Sequence, residues 1–563
     1  MKYVVKPSTK DNLIERIFEN RGIDSNKEEF LFPGIENVKD GSLYTNMNLA
    51  VETVLSHTKN QSTVLIVVDS DADGYCSNAM LKDYLEKWCS KLDINYIIHS
   101  TKAHGITQEV LEEIYRIKAD LVLMADAGSN DYEQHKILKD MGVDVVILDH
   151  HECDRYSDDA IVVNNQLDPV GNKSLSGGGM VMKFLEVMDS YMGVGPSAEY
   201  YSDLCAVAMV SDSMIIKDLE TRYYVMKGLY NINNALFKEL LKGKEEGVIS
   251  DISYSIAPTI NAIIRVSEQE DKEYLFRALC GDELDMKLEI RGKGEVDMDL
   301  PTYISKIGDR AKRLQTKLVN EVNNNEDFEL IHDGLPFIIG ITPSDFNNNL
   351  TGLLANRLAD NYQKPCLILK DKDGVLKGSA RSTKEIEGFR DYLIDTSLFN
   401  YCEGHQGAFG VSIDLENLEV LKVQYKDAII ETSDNGCVVE KAYDTYSISP
   451  FDILQVGELN RFWSRGFEKP LFHIKLSGLP KTAASIIGKN NDTIRINHKS
   501  ISFIKFKCSE DEIESIKSLN TINIEMIGEF VVNKWMGKTS PQVIIRDLEI
   551  CEPSLNGPYN HFA

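Results

Sequence analysis

The stretch from Val64 to Gly74 reads VLIVVDSDADG, an apolar run that leads straight into Asp69, Asp71 and Asp73 and closes on Gly74. The run is rich in Val, Ile and Leu, the composition of a parallel strand covered on both faces. Two more runs share it, LVLMA at 121–125 and VDVVIL at 143–148, with amphipathic stretches such as SNAMLKDYLEKWCSKL and TQEVLEEIYRIKADL between them. Strand, helix, strand is the βαβ pattern, so a doubly wound α/β domain is expected here. Each run ends in an acid: Asp69, Asp126 and Asp149. Parallel strands of one sheet point the same way, so these acids should gather along the carboxyl edge, where open α/β sheets bind ligands.

Three carboxylates so close together repel one another, and a divalent cation is the economical remedy. Hard oxygen ligands suit Mg²⁺ or Mn²⁺, and an added imidazole favours Mn²⁺. LDHHECD supplies that imidazole, with His150 and His151 directly behind the third run. Alone, DxDxDG also matches a calcium loop and a histidine pair means little. The weight comes from strand-end placement of all three segments.

At 563 residues the chain should form two to four domains. Its net charge of −27 speaks for solubility and against an overall basic nucleic-acid surface, though not against a local basic groove. Ten cysteines without a CxxC pair argue against zinc ribbons and a disulfide framework. No apolar run approaches the roughly 18 residues of a membrane span. The N-terminal MKYVVKPSTKDNLIERIF lacks the apolar core of a signal peptide. A cytoplasmic, monomeric protein without a membrane partner is expected.

The region from about 190 to 300 reads as mostly helical, and PTYISKIGDRAKRLQTKLVNEVNNN (301–325) as a long helix. A second α/β pattern follows, with PFIIGI, a helix through LTGLLANRLADNY, and PCLILK. From about 450 onward short alternating strands suggest a small β module of the OB type.

VDSDADG, ADAGSND and LDHHECD resemble the first three motifs of the DHH phosphoesterase superfamily, and AVAMVSDSM resembles the fourth, supplying Asp212. LSGGGMVMKFL, IAPTINAIIR, KGSARS and EGHQGAFGVSI are similar to further segments of RecJ-type exonucleases, the last two in their accessory DHHA1 domain. RGFEKPLF and EFVVNKWMGKTSPQVIIRDLEI are similar to their OB-fold portion. The resemblance implies a DHH catalytic domain over 1–300, with an N-terminal extension over about 1–50. A connecting helix over 301–325, a DHHA1 substrate-binding domain over 326–445 and an OB-fold-like nucleic-acid-binding domain over 446–563 would follow.

It also implies an activity: 5′-to-3′ hydrolysis of single-stranded DNA to 5′-mononucleotides, with metal-activated water as nucleophile, in recombination, repair or replication. One cation would be held by Asp69, Asp71 and Asp126, and a second by Asp73, Asp126, His150 and Asp212, Mn²⁺ being preferred and Mg²⁺ the alternative. Asp149 would orient the imidazole of His150, and His151 would face the scissile phosphate. Ser379 and Arg381 match the family's pocket for a 5′ phosphate. Gly404 and His405 would approach the nucleotide, although this chain has Glu403 for the family's first glycine and Gly407 for its usual alanine. The arginine that the family carries before its second motif is not evident in IIHSTKAHGIT, where Lys102 or His104 could take its place. Arg265 is either a further substrate contact or a salt-bridge partner at a domain interface.

In RINHKSISFIKFK, Arg495, Lys499, Lys505 and Lys507 interleave with Phe503 and Phe506, fitting either single-strand binding or a barrel core. Trp535 is either a base stacker or a loop anchor. A helicase or single-strand-binding protein is a candidate partner. Two rival readings are a phosphodiesterase of short oligonucleotides or cyclic dinucleotides and a non-catalytic replication scaffold. The C-terminal β module argues against the first, and the intact acid set against the second.

Overall fold

The structure is a computed structural model that describes residues 2–23, 26–101, 103–242, 247–383, 386, 388–426, 437–535 and 538–550. Contacts divide the chain into two units, one running from Gly34 to Ser433 and the other combining the chain up to Pro33 with the chain from Asp434 onward. Among the described residues, no helix is long and apolar enough to cross a membrane.

The larger unit opens with five parallel strands, β1 (Thr63–Val68), β2 (Asp93–Ile98), β3 (Leu121–Ala125), β4 (Asp144–Asp149) and β5 (Ile161–Asn164), in the order 2-1-3-4-5. The central strands are buried on both faces because helices cover both sides, which explains their unbroken apolar runs. β2 and β5 have weaker sequence signals: β2 is a half-exposed edge strand interrupted by Asn95, and β5 is only four residues long. Chain direction across the sheet reverses between β1 and β3, the crevice where doubly wound sheets take their ligands.

Four helices matter for the site: α1 (Ala72–Trp88), α2 (Gly177–Met192), α3 (Ser202–Ser211) and α4 (Ala257–Val266). The expectation of a helical region up to residue 300 needs one correction. Asp285–Ile290 and Gly294–Asp299 form a β-hairpin, in which the period-two pattern of DMKLEI buries Met286 and Leu288. The long helix α5 (Leu300–Asn323) leads to a six-stranded sheet. Its strands are β6 (Glu329–Ile331), β7 (Ile338–Thr342), β8 (Cys366–Lys372), β9 (Val375–Arg381), β10 (Phe399–His405) and β11 (Ala408–Asp414), in the order 10-11-9-8-7-6. Only β7 and β8 pair in parallel, joined by the crossover helix α6 (Thr351–Tyr362).

The smaller unit is built on a seven-stranded mixed sheet from Lys441–Asp444 to Lys538–Ile550, a β-rich module of the OB type. The chain up to Pro33 belongs to it, which corrects the placement of that part of the N-terminal extension with the catalytic domain, whereas the extension from Gly34 onward stays with the larger unit. Tyr3–Val5 pairs in parallel with Cys437–Val439. Arg21 meets the buried Glu440 at 2.7 Å, and Phe18 and Phe30 pack on Phe467. These partners come from opposite ends of the chain, beyond the reach of any local pattern.

Candidate metal centre

The three aspartates of DSDADG are held in three different ways. Asp69, just past β1, is buried, and the Nδ1 of His104 lies 2.8 Å from its Oδ2. Asp71 is the N-cap of α1, its Oδ1 accepting from the backbone N–H of Gly74 at 3.0 Å. Asp73 is buried in the first turn of α1 and accepts from the N–H groups of Gly177 and Gly178 at 3.0 and 2.9 Å and from the Ser77 hydroxyl at 2.9 Å. Thus the N-terminus of α1 hydrogen-bonds one carboxylate and that of α2 another, which is where helix dipoles favour negative charge.

That contact assigns a role to LSGGG. A Cβ on Gly177 would stand 2.4 Å from the Cβ of Asp126, and one on Gly178 would stand 2.4 Å from the Cβ of Ala208. Only bare backbone lets the start of α2 come so close. The glycine triplet is visible in the sequence as a strand-to-helix turn, but its hold on Asp73 needs the fold. Asn78 escapes a sequence reading altogether: its amide bonds the N–H and C=O of Ala125 and so ties α1 to the strand end that carries Asp126.

Asp126 leaves β3 with a left-handed φ of +69°, a backbone strain worth about 1–3 kcal/mol in a residue with a Cβ. His150 Nε2 lies 3.1 Å from Asp126 Oδ1, 3.5 Å from Asp212 Oδ2 and 4.0 Å from Asp73 Oδ2. Asp212 caps the C-terminus of α3. Ligand atoms lie within 4.8 Å of one another in three sets: Asp69, Asp71 and Asp126; Asp73, His150 and Asp212; and Asp126, His150 and His151.

Asp149 differs from its expected role. Its Oδ1 accepts from the ring Nδ1 of His151 at 2.8 Å and from the backbone N–H of His150 at 2.7 Å. It therefore orients the ring of His151 rather than that of His150, because the chain turns directly after β4 and folds the second histidine back over the acid. Ser129 N–H supports its other oxygen at 3.1 Å. Burial alone would raise Asp149, but the charge and hydrogen bond of His151 outweigh it and hold the carboxyl below the usual range. Burial likewise opposes charge on His151, yet Asp149 lifts it to about 10. Burial, then His151, push His150 down to about 3, and burial with the charge of Asp71 raises Asp73 to about 6. Asp126 lies well above the carboxylate range through burial and its carboxylate neighbours.

This donor set fits divalent cations. Asp126 Oδ1 and His150 Nε2 are buried and 3.1 Å apart, yet among the described residues neither atom has a hydrogen-bond partner. Oxygen ligands with one or two imidazoles suit Mg²⁺ or Mn²⁺.

The six-stranded domain brings two groups to the same crevice. His405 Nε2, at the end of β10, lies 4.0 Å from Asp212 Oδ1. Gly404 before it has a φ of +125°, in which a Cβ would stand 3.0 Å from the Cα of Phe409. Ser379 Oγ bonds Thr351 Oγ1 at 2.9 Å, and Gly352 packs so tightly that its Cβ would lie 2.6 Å from Arg381 Nη2. Burial and the neighbouring Arg265 lower Arg381 to about 10. Burial also lowers Arg265, against the pull of Asp71. Among the described residues neither guanidinium has a carboxylate at ion-pair distance, so the interface salt bridge considered for Arg265 is not seen. His104 stands against the Asp69 carboxylate, with Nδ1 2.8 Å from Oδ2. Lys102 lies outside the described residues.

In the C-terminal module Phe503 is core and Phe506 is 56% exposed, which separates the two readings of that pair. Lys505 pairs with Glu512, and Lys499 bonds the carbonyl of Tyr446. The Trp535 side chain lies outside the described residues.

Residues 63–209 match the DHH family, N-terminal domain, and residues 451–547 match the RecJ OB domain. YorK of the SPbeta prophage of Bacillus subtilis (strain 168), which carries the name of a single-strand DNA-specific exonuclease, is 33% identical over 95% of this chain and 95% of its own. This chain belongs to the RecJ family of single-strand DNA-specific exonucleases. RecJ of Bacillus subtilis (strain 168) is 22% identical over 96% of this chain and 68% of its own length. In structure, RecJ from Thermus thermophilus in complex with Mn²⁺ superposes with a TM-score of 0.74 at 19% identity, covering 98% of this chain and 79% of that one. The same protein in complex with Mg²⁺ gives a TM-score of 0.68. The family is one of metal-dependent hydrolases, and its fold extends over both units described above.

Proposed function

We propose that this family member degrades single-stranded DNA from a 5′ end and releases 5′-mononucleotides. Two divalent cations, Mn²⁺ before Mg²⁺, would be held by Asp69, Asp71 and Asp126 and by Asp73, Asp126, His150 and Asp212. The observation that carries this reading is the approach of Asp126 Oδ1 and His150 Nε2, buried, at 3.1 Å and without a hydrogen-bond partner among the described residues. Two groups left so are costly unless a ligand satisfies both.

Divalent cations in such a site supply Lewis acidity toward a phosphoryl oxygen and make water acidic enough to attack at neutral pH. The protein's own residues do the rest. Asp149 keeps His151 doubly protonated, so that its Nε2–H can donate to a phosphate oxygen as negative charge develops. Arg265, Arg381, Ser379 and Thr351 offer charge and hydroxyls to a terminal phosphate, a setting in which charge-assisted hydrogen bonds are strong. His405 reaches the crevice from the opposite domain. A cleft between the two α/β domains wide enough for one strand would exclude a duplex. The six-stranded domain then serves as the substrate grip and the C-terminal module as a further single-strand contact.

The test is end-labelled single-stranded DNA and RNA, with the label at 5′ or 3′, incubated with Mn²⁺ or Mg²⁺. Early release of a 5′-labelled mononucleotide is the expected result. Release from the 3′ end first, faster turnover of dinucleotides than of long strands, or equal rates on blunt duplex would each count against the proposal.

A further inference from the structure

The loop carrying the histidine pair and the turn carrying His405 belong to different domains, and one side chain touches both. Arg390, in the short helix α7 (Phe389–Asp395), donates through Nη1 to the carbonyl of Gly404 and lies 3.2 Å from Glu152 Oε2. Gly404 directly precedes His405, and Glu152 directly follows His151. Each end of the link is therefore one residue from a group that faces the crevice. The Arg390 side chain is only 16% exposed, whereas that of Glu152 is 76% exposed. An ion pair with so wet a partner contributes little to stability. Its value is geometric, because a single nitrogen, Nη1, meets both partners and so fixes the spacing between the two loops.

We propose that Arg390 is a positioning residue that clips the His405 turn to the twin-histidine loop and so sets His405 against Asp212. The inference rests on the nuclease reading for its kinetic arm, but its structural arm does not. With the Gly404 carbonyl released, the end of β10 keeps its pairing with β11 but loses its tie to the twin-histidine loop, and the turn with its φ of +125° at Gly404 can shift and carry His405 with it. Turnover should then suffer while strand binding, which draws on contacts elsewhere, should not.

The experiment compares the full-length wild type with Arg390→Gln, Arg390→Lys, Glu152→Gln and the swap Arg390→Glu/Glu152→Arg. Hydrogen exchange is read over the segments around 150–154 and 402–406, and kcat and KM on a 5′-phosphorylated single strand with Mn²⁺. Arg390→Gln should speed exchange in both segments together and lower kcat roughly tenfold with KM within about twofold, less than the roughly hundredfold of a full ~1 Å misplacement because the strand pairing of the turn remains. Arg390→Lys should recover part of the loss, and Glu152→Gln should act in the same direction but more weakly. The swap should restore the 150–154 segment and leave the 402–406 segment fast, because a glutamate cannot donate to the Gly404 carbonyl. Unchanged exchange in either segment with Arg390→Gln, or a rise in KM with kcat intact, overturns the proposal. A wild type without Mn²⁺-dependent release of nucleotides would instead refute the nuclease reading, and the exchange data alone would then decide whether the clip exists.

Discussion

Gly177→Ala is the sharpest probe of the centre, because the new methyl points at a proposed ligand. Its Cβ would lie 2.4 Å from the Cβ of Asp126, 2.8 Å from its Cα and 2.7 Å from its Oδ1. Carbon atoms in contact rest at about 3.5–4.0 Å, so roughly 1 Å of movement must be found. Asp126 has little freedom to yield: it is buried, its N–H bonds the carbonyl of Leu148 at 3.0 Å, and its φ is already +69°. The movement therefore falls on the carboxylate and on the start of α2, loosening the grip of Gly177 and Gly178 on Asp73. Overpacking of this kind costs about 1–3 kcal/mol of stability. A displacement near ~1 Å in a reacting assembly costs on the order of a hundredfold in rate. Calorimetric Mn²⁺ titration, thermal unfolding with and without Mn²⁺, and nucleotide release from a 5′-labelled strand measure the three effects. Gly195→Ala, with open space around its Cβ, is the matched control and should leave all three unchanged. A Gly177→Ala protein with Mn²⁺ affinity and rate within twofold of wild type would refute the reasoning.

Alanine at Asp73 or His150 should abolish Mn²⁺-dependent nucleotide release and remove the rise in Tm that Mn²⁺ produces, while circular dichroism stays native. Arg381→Gln should cut the preference for 5′-phosphorylated over 5′-hydroxyl ends by roughly tenfold or more, since a hydrogen bond to a charged group is worth about 1.5–3 kcal/mol; an unchanged preference would move the phosphate elsewhere. His135 is buried, with Nδ1 3.1 Å from Ser157 Oγ, and burial lowers it from 6.5 to about 4. The unfolded chain thus takes up the proton first, and stability should fall by on the order of 3 kcal/mol as pH drops from about 6.5 to about 4. Urea unfolding of wild type against His135→Gln across that window should show a shallower pH slope in the variant.

The central strands and the acids behind them are legible because a strand buried on both faces must be apolar throughout, and a parallel sheet aligns its carboxyl ends. VLIVV, LVLMA and VDVVIL therefore announce both the fold and the edge at which Asp69, Asp126 and Asp149 appear. The edge strands are less legible: Asp93–Ile98 faces solvent on one side and carries polar residues that dilute the pattern. The hairpin at Asp285–Asp299 hides among helices because it contributes only two buried side chains, Met286 and Leu288, to the core.

By itself, then, the sequence determined which residue types could hold a cation and that they stand at strand ends, since both follow from chain-local chemistry. Tertiary structure alone decided which carboxylate each backbone N–H serves, that Asp149 turns to His151, that Asp69 holds His104, and that the segment up to Pro33 completes the C-terminal module. Those outcomes depend on which distant segments come to lie a few ångströms apart. Hydrogen bonds and steric contact act only at that range, whatever the separation along the chain.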